Sequence, residues 1–490
     1  MTPATIYTAL IIYFFLATMV AIYARRHLGT GMADFFLASR GVGGIVAALT
    51  YSATTYSAFM MVGLAGFTYL GGVGAWGFEL IYLSGLILVA FFGPRFWLAG
   101  KKYNFITPSE MLGHRYQSQS VAAISALASV IFLIPYSAVQ LIGIGTLLEG
   151  LSGGAIPFTV GLILATIIAV TWTWLGGLRS VAWTDSLQAI IMLVAASLSI
   201  YFVLNRAFGG LGALFLALET EAPEWLRVPG PGFFNFKAFI GLSLPWFFFS
   251  LSNPQVSQRL FIPRSLKQMR TMIMGFLIFG FIYTFISIIW GLSARLLLPD
   301  LPSGDLATPR LLATEFIPDI IALIVFLGIT AAAISTINSI ILTLSSMVSR
   351  DIFKELGLDE EQELSLGKIF VPLFAIATLL FASLRLDLIA VLSVASSAGL
   401  LVLVPAIIGA FFWKGGSRQG VVSSILGGGF IAFWFQFSGL RPLGLWPGIW
   451  SGLVSVILFI GVSLLTDPPQ GRAEEFMGYV QRALKEKNAI

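Results

Sequence analysis

Thirteen long apolar runs, separated by short loops, constrain the fold of this chain more than any other feature. Each run has the roughly 20 residues that a helix needs to cross the hydrocarbon core of a bilayer. Only helices and closed barrels satisfy their backbone hydrogen bonds there. We therefore predict membrane helices at 3–24, 43–69, 73–99, 120–148, 155–176, 181–205, 238–259, 271–297, 317–347, 368–384, 388–413, 419–438 and 446–466.

The composition places the chain among integral membrane proteins. Hydrophobic residues make up 57% of the sequence and charged residues only 10%, which no class of soluble protein matches. The net charge of +5 is spread over short loops, so it indicates phospholipid headgroups rather than nucleic acid as the partner. The absence of cysteine excludes disulfides and thiolate chemistry. The two histidines, His27 and His114, are too few for a histidine metal site or an obvious Ser-His-Asp triad.

The basic residues also predict the orientation. If the N-terminus lies outside, 21 of the 28 lysines and arginines fall in inside loops, among them Arg259. This bias follows the positive-inside rule. We expect a multi-pass protein of the cell membrane with a cytoplasmic C-terminus. Residues 1–470 form one transporter domain, and residues 471–490 form a cytoplasmic tail with a short amphipathic helix.

Two of the predicted helices contain polar clusters that indicate breaks. Residues 52–57 read SATTYS, and residues 250–255 read SLSNPQ, where Pro254 removes a backbone donor. The clusters lie five helices apart, as in inverted repeats whose broken helices bind ions and substrate at mid-membrane. The predicted repeats are 43–205 and 238–413, with 3–24, 419–438 and 446–466 as peripheral helices.

A third polar group lies in the apolar segment 328–350, which contains Ser335, Thr336, Asn338 and Ser339. Hydroxyl groups in hydrocarbon either bond a carbonyl of their own backbone or serve a bound group. Oxygen ligands suit a hard cation such as sodium. Both interpretations remain open on this segment alone.

Two acids occur within predicted helices. Glu79 has no lysine nearby in sequence, and an intramembrane carboxylate indicates a functional site or a protonated, packed side chain. Asp185 lies near the start of the sixth helix, where the plain interpretation is a helix cap or a partner of Arg179.

Four segments together resemble one known family. They are FFLASRGVGG (35–44), GLAGFTY (63–69), GGLRSVAWTDSLQA (176–189) and AAAISTINS (331–339) followed by SRDIFK. In this order they are similar to the signatures of the sodium:solute symporters, which carry proline, pantothenate, sialic acid, monocarboxylates and sugars. The resemblance runs from about residue 30 to about residue 440. It implies an all-α, LeuT-like fold of two inverted five-helix repeats.

The same resemblance implies a set of sodium ligands. The shared sodium ion would be held by the carbonyls of Ala53, Tyr56 and Ala332 and by the hydroxyls of Ser335 and Thr336. Asp185 matches an acid on the inward sodium path. In some members that acid binds a second sodium ion together with serines one turn further along, and the corresponding residues here are Ser335, Asn338 and Ser339. Asn338 departs from the serine of those members.

The substrate is not determined by these motifs. Proline carriers have an aspartate where this chain has Thr55, which argues against proline. A pocket between the two breaks and the third and fourth helices suits a small organic solute. The predicted contacts are Thr54, Met60, Glu79, Gln140, Asn253 and Gln255.

The sequence thus predicts a sodium-coupled secondary active symporter, not an enzyme, that imports a small organic solute by alternating access and functions as a monomer. A proton-coupled carrier of the same fold is the main alternative, but the shared ion site carries no titrating group. A membrane sensor would need a kinase or receiver domain. A membrane enzyme would need paired acids or a histidine-rich metal site in its helices.

Overall fold

The computed structural model describes residues 2–26, 31–232, 234–386 and 388–487 of the 490. His27 lies outside these residues. Within them the chain is almost entirely helical, and the one β-bridge joins Val42 to Pro263. Eleven helices are long and apolar enough to cross a membrane, and one bent pair of helices makes a twelfth span. By length and composition the described residues thus give eleven or twelve spans, against the predicted thirteen. The short apolar helix Phe236–Phe247, with its continuation beyond a second break, lies where the remaining predicted helix was expected, and we number it with the others.

We number these segments α1 to α13 and the tail helix α14. Their bounds are α1 Pro3–Arg25, α2 Gly44–Thr55 with Phe59–Gly71, α3 Val73–Tyr103, α4 Gln119–Leu151, α5 Phe158–Leu175, α6 Gly177–Phe208, α7 Phe236–Phe247 continued by Phe249–Ser252, Pro254–Ser257 and Gln258–Phe261, α8 Leu266–Leu297, α9 Asp319–Ile352, α10 Glu360–Ser383, α11 Ile389–Phe412, α12 Arg418–Ser438, α13 Pro447–Leu464 and α14 Gln470–Glu486.

The structure corrects the predicted bounds in two places. α5 and α6 follow one another without a loop, and Gly177 between them has a φ of +54°. A side chain at Gly177 would also clash with the Phe35 carbonyl, so glycine is required there on both grounds. α10 begins at Glu360 rather than at residue 368, because Asp359 caps it with a capping box shared with Gln362.

The core of the molecule lies around α9 and α11, the most buried of the long helices. α9 packs against α5 and α6, against α4 and against the first half of α2. Along their apolar windows α1, α10, α12 and α13 are the least buried of the long described helices, as expected for helices that face lipid. This low burial agrees with the peripheral position predicted for the first and the last two helices, which stays a prediction, and α10 shares it.

The tail forms the predicted amphipathic helix. α14 buries the apolar side chains of Phe476, Met477, Val480 and Leu484 and packs against α3. The tail is thus docked on the domain rather than separate from it. Residues 488–490 lie outside the described part of the chain.

Candidate functional site

The second membrane helix is broken in the middle of the molecule. Its halves, Gly44–Thr55 and Phe59–Gly71, meet at an angle of 50°. The backbone leaves helical geometry at Tyr56, which has φ −85° and ψ 85°. The last carbonyls of a helix lack partners within it and carry the negative end of its dipole. The break therefore presents backbone oxygens, including that of Ala53, to whatever packs beside them.

α9 packs its hydroxyl groups against these carbonyls. Ser335 donates to the Ala53 carbonyl at 2.7 Å and lies 2.9 Å from the Ala332 carbonyl. The Thr336 hydroxyl lies 3.2 Å from the carbonyl of Ala53 and 3.1 Å from the carbonyls of Thr54 and Ala332. The hydroxyls thus bond carbonyls of their own helix and of the broken helix, while a cation held by the same oxygens stays a prediction.

Four of the five predicted sodium ligands meet at this point: Ala53, Ala332, Ser335 and Thr336. Tyr56, the fifth, is buried at the break itself. All five contribute oxygen and none carries a charge, which suits a monovalent hard cation that has to bind and leave. The hydroxyls now donate to the carbonyls. If their protons turned away, the same oxygens would present lone pairs to a cation.

Asp185 of α6 lies beside this group and is fully buried. Its Oδ2 accepts a hydrogen bond from the Thr50 hydroxyl at 2.6 Å and from the Arg259 guanidinium at 3.3 Å. Arg179, the partner considered from the sequence, instead lies 3.5 Å from Asp34. Arg259 is therefore the partner of Asp185, although the sequence placed this arginine in a loop.

The two remaining α9 residues of the predicted second sodium site point in different directions. Ser339 shares a hydrogen bond of 2.9 Å with the Thr54 hydroxyl, on the side of the broken helix. Asn338 faces α5. In the orientation that lets its amide nitrogen donate, that nitrogen lies 3.1 Å from the Ala169 carbonyl and 3.2 Å from the Thr173 hydroxyl. The structure therefore does not bring Asn338 together with Asp185 and Ser339.

The second predicted break, in α7, is also present. Asn253 has an extended backbone with φ −88° and ψ 111°, and Pro254 starts the short helix that follows. The Asn253 amide nitrogen donates to Ser252 at 3.2 Å. The side-chain oxygen of Asn253 and both polar atoms of the Gln255 amide are buried without a partner among the described residues. Buried polar atoms in native proteins usually have a hydrogen-bond partner, and a bound ligand is one group that could supply it here.

Glu79 lies in α3 and is buried against α7. Its Oε2 accepts a hydrogen bond of 3.0 Å from the indole nitrogen of Trp246. The Trp246 ring packs among aromatic rings, with centroids 4.9 Å from Phe59 and Phe249 and 5.3 Å from Phe78. Glu79 is thus held at the edge of an aromatic cluster that joins α2, α3 and α7.

The other two predicted substrate contacts line the break in α2. The side-chain oxygen of Gln140 accepts from the Ala58 amide at 3.1 Å, and its nitrogen donates to the Tyr136 carbonyl at 3.3 Å. Gln140 therefore caps the second half of α2. Met60 is buried in the first turn of that half, and its amide donates to the Ser57 carbonyl. All six predicted contacts are buried, and their contact with a solute stays a prediction.

Sequence reasoning missed two functional candidates, Arg259 and Trp246. A signal existed for each. Arg259 is followed by the apolar residues 260–262, so it does not lie in a polar loop, and a buried arginine needs an acid. An acid in hydrocarbon such as Glu79 likewise needs a donor, and an indole N–H in the neighbouring broken helix provides one.

Two broken helices, five segments apart, with polar groups at both breaks define a secondary transporter of the inverted-repeat class. The sequence profile described as the sodium:solute symporter family matches residues 35–428. The chain therefore belongs to the sodium:solute symporter family.

Individual relatives agree with this assignment. The chain is 28% identical over 483 residues to the sodium/pantothenate symporter of Escherichia coli, covering 94% of this chain and 97% of that protein. It is 25% identical over 511 residues to the sodium/proline symporter of Staphylococcus aureus, covering 98% and 96%. Both relatives are named as transporters.

A solved structure shows the same fold. The substrate-bound, outward-open structure of a Na+-coupled sialic acid symporter superimposes with a TM-score of 0.77 at 20% identity, covering 94% of this chain and 98% of that one. The predicted fold, an all-α LeuT-like membrane protein, is confirmed. The function predicted at the level of the family, sodium-coupled symport of a small organic solute, is confirmed as well.

Proposed function

We propose that this symporter couples import to a sodium ion held between the break of α2 and the face of α9. The ligands are the carbonyls of Ala53, Tyr56 and Ala332 and the hydroxyls of Ser335 and Thr336. The observation that carries the proposal is the direct hydrogen bond from Ser335 to the Ala53 carbonyl. It brings a side-chain oxygen of α9 to a carbonyl at the end of the first half of α2. An ion bound there would link α2 to α9, two elements that move relative to each other during transport.

The transport cycle follows from this placement. A sodium ion from outside joins α2 to α9 and stabilises the outward-open arrangement. The solute then binds at the second half of α2 and at α7, and the outer side closes around it. Loss of the ion to the inside loosens α2 from α9 and releases the solute. No bond of the solute is made or broken, and one copy of the chain contains every group that the cycle uses.

The orientation of the cycle rests on the positive-inside rule. The loops with most of the lysines and arginines, together with α14, face the cytoplasm, and the N-terminus lies outside. The chain thus imports solute across the cell membrane. One sodium ion moving through about 100 mV gains about 2.3 kcal/mol. A tenfold gradient adds about 1.4 kcal/mol. Together they support a several-hundred-fold accumulation of a neutral solute.

The solute contacts are Asn253 and Gln255 at the α7 break, Thr54 and Met60 on α2, and the Glu79 and Gln140 side chains. The buried amide of Gln255 and the side-chain oxygen of Asn253 have no partner among the described residues. Amides that offer both donors and acceptors recognise hydroxyl, amide and carboxylate groups. The first solute to test is pantothenate, which has all three groups. The Escherichia coli relative is a sodium/pantothenate symporter by name.

The test is uptake of radiolabelled pantothenate into proteoliposomes that contain the purified full chain. We expect uptake with an inward sodium gradient and none with a potassium gradient of equal size. A proton gradient without sodium should also fail, which separates the sodium carrier from the proton-coupled alternative. If pantothenate is not taken up, competition by amino acids, other carboxylates and sugars in a sodium-dependent thermal-shift assay identifies the solute class. If a solute is taken up equally well without sodium, the proposal that sodium is the coupling ion is refuted.

A further inference from the structure

The Arg259 side chain lies inside the transporter rather than at its surface. It follows the α7 break in the 3-10 turn Gln258–Phe261, and only 2% of the side chain is exposed. One guanidinium nitrogen lies 3.3 Å from Asp185 Oδ2 and 2.6 Å from the Ser339 hydroxyl. The other terminal nitrogen, Nη1, donates to the Gln255 carbonyl at 3.1 Å. The guanidinium thus joins α6, α7 and α9.

These contacts place a fixed positive charge where a second cation would have to bind. A buried carboxylate such as Asp185 requires a compensating positive charge, either a bound ion or a side chain. Here the guanidinium bonds both Asp185 and Ser339, and the Thr50 hydroxyl bonds the same carboxylate oxygen. The Asn338 amide is directed away toward Thr173. Asp185 Oδ2 and the Ser339 hydroxyl are therefore engaged by the arginine and the Asn338 amide by a neighbouring helix, which leaves Asp185 Oδ1 as the one oxygen of that carboxylate without a partner among the described residues.

We propose that Arg259 is a tethered cation that takes the place of a second sodium ion at Asp185 and restricts coupling to one sodium ion per cycle. The inference rests on the proposed function, because it assumes that the first sodium ion binds at Ser335 and Thr336. A second sodium ion would meet the guanidinium charge at close range in a medium of low dielectric constant, and the like charges repel. Arg259 acts as a positioning and specificity residue, and it does not itself contact the first ion.

The number of bound ions tests this proposal without knowledge of the solute. Equilibrium binding of radioactive sodium to the purified full chain should give about one ion per protein and a Hill coefficient of about one. Arg259→Ala removes the charge and leaves Asp185 without compensation, so this variant should bind two ions per protein. Arg259→Lys keeps a tethered charge and should bind one ion. The double variant Arg259→Ala with Asp185→Asn removes both charges and should also bind one.

Each alternative result is decisive. Two ions bound by the unaltered protein, or one ion bound by a folded Arg259→Ala variant, would overturn the role of Arg259. Should Arg259→Ala fail to fold, Asp185→Asn decides: one ion bound supports the proposal, and loss of a bound ion overturns it. Absence of saturable sodium binding to the unaltered protein would instead refute the proposed coupling ion. The two failures are thereby distinguished.

Discussion

The Ser335 hydroxyl lies 2.7 Å from the Ala53 carbonyl oxygen and donates a hydrogen bond to it, across 282 residues of sequence. Ala53 belongs to a helix that ends two residues later, and Ser335 belongs to an unbroken helix buried at the centre of the molecule. A free carbonyl of the broken helix is therefore held by a side chain of the unbroken one. A cation with the same oxygens as ligands would strengthen this link, and its loss would weaken it.

The first prediction concerns the cap on the second half of α2. Gln140→Leu should destabilise the fold by about 1–3 kcal/mol, because the buried Ala58 amide loses its acceptor. Thermal unfolding of the purified protein measures this loss. Gln188→Leu removes a buried amide that bonds Tyr13 of α1 and serves as the matched control. Sodium affinity should fall in Gln140→Leu and stay unchanged in the control. Equal sodium affinity in both variants would argue that the Gln140 hydrogen bond does not determine the geometry of the break in α2.

A second prediction separates recognition from packing at Glu79. In Glu79→Gln the amide oxygen can still accept the indole hydrogen bond from Trp246, so the melting temperature should change little. The half-saturating pantothenate concentration should rise about tenfold, since a carboxylate makes stronger hydrogen bonds than an amide. Trp246→Phe should instead lower the melting temperature, because the buried Glu79 loses its donor. Normal pantothenate uptake by Glu79→Gln would assign recognition to Asn253 and Gln255.

The third prediction tests the orientation of the chain in the membrane. Because the sequence contains no cysteine, a cysteine introduced by substitution is the only site that a maleimide can label. Asp300→Cys lies in the exposed loop after α8, and Lys485→Cys lies on the exposed side of α14. A membrane-impermeant maleimide added to intact cells should label the cysteine at position 300. It should label the one at position 485 only after the membrane is permeabilised. The reverse pattern would invert the topology and turn the proposed importer around.

A fourth prediction concerns the charge moved per cycle. With one sodium ion and a monovalent anion such as pantothenate, transport moves no net charge. The initial rate of uptake in proteoliposomes should then be insensitive to a potassium diffusion potential at a fixed sodium gradient. A neutral solute would instead be driven by the potential, by about 2.3 kcal/mol per 100 mV. Strong acceleration of pantothenate uptake by an inside-negative potential would imply more than one sodium ion and contradict the role of Arg259.

The backbone features of the site could be predicted from the sequence because they follow from local rules. Pro254 cannot continue a helix, and the cluster of small polar residues at 52–57 indicated the first break. The hydroxyls of Ser335 and Thr336 were also recognisable, since they interrupt an apolar segment. Such features depend on neighbours along the chain.

The partners of the buried charges could not be predicted in the same way. Arg259 meets Asp185 across 74 residues, and Trp246 meets Glu79 across 167. Which side chains meet depends on how α3, α6, α7 and α9 pack, and no local pattern fixes that packing. Counting Arg259 as a loop residue also followed from the positive-inside rule, which cannot distinguish a charge in a loop from one that is buried beside an acid.

Sodium binding by a double variant of α9 tests the account most directly. Ser335→Ala combined with Thr336→Ala removes both hydroxyl ligands and leaves the backbone carbonyls in place. We expect the half-saturating sodium concentration in radioactive sodium binding to rise by about tenfold or more, since losing about 1.4 kcal/mol of binding free energy already has that effect.

The matched control is Ser393→Ala with Ser397→Ala, a buried pair in α11 whose hydroxyls bond carbonyls one turn back in their own helix and no other group among the described residues. This control should bind sodium with unchanged affinity, and both double variants should retain their folded state in thermal unfolding. Weakened sodium binding confined to the α9 variant is the result that the account predicts. Unchanged sodium affinity in a folded α9 variant would contradict it.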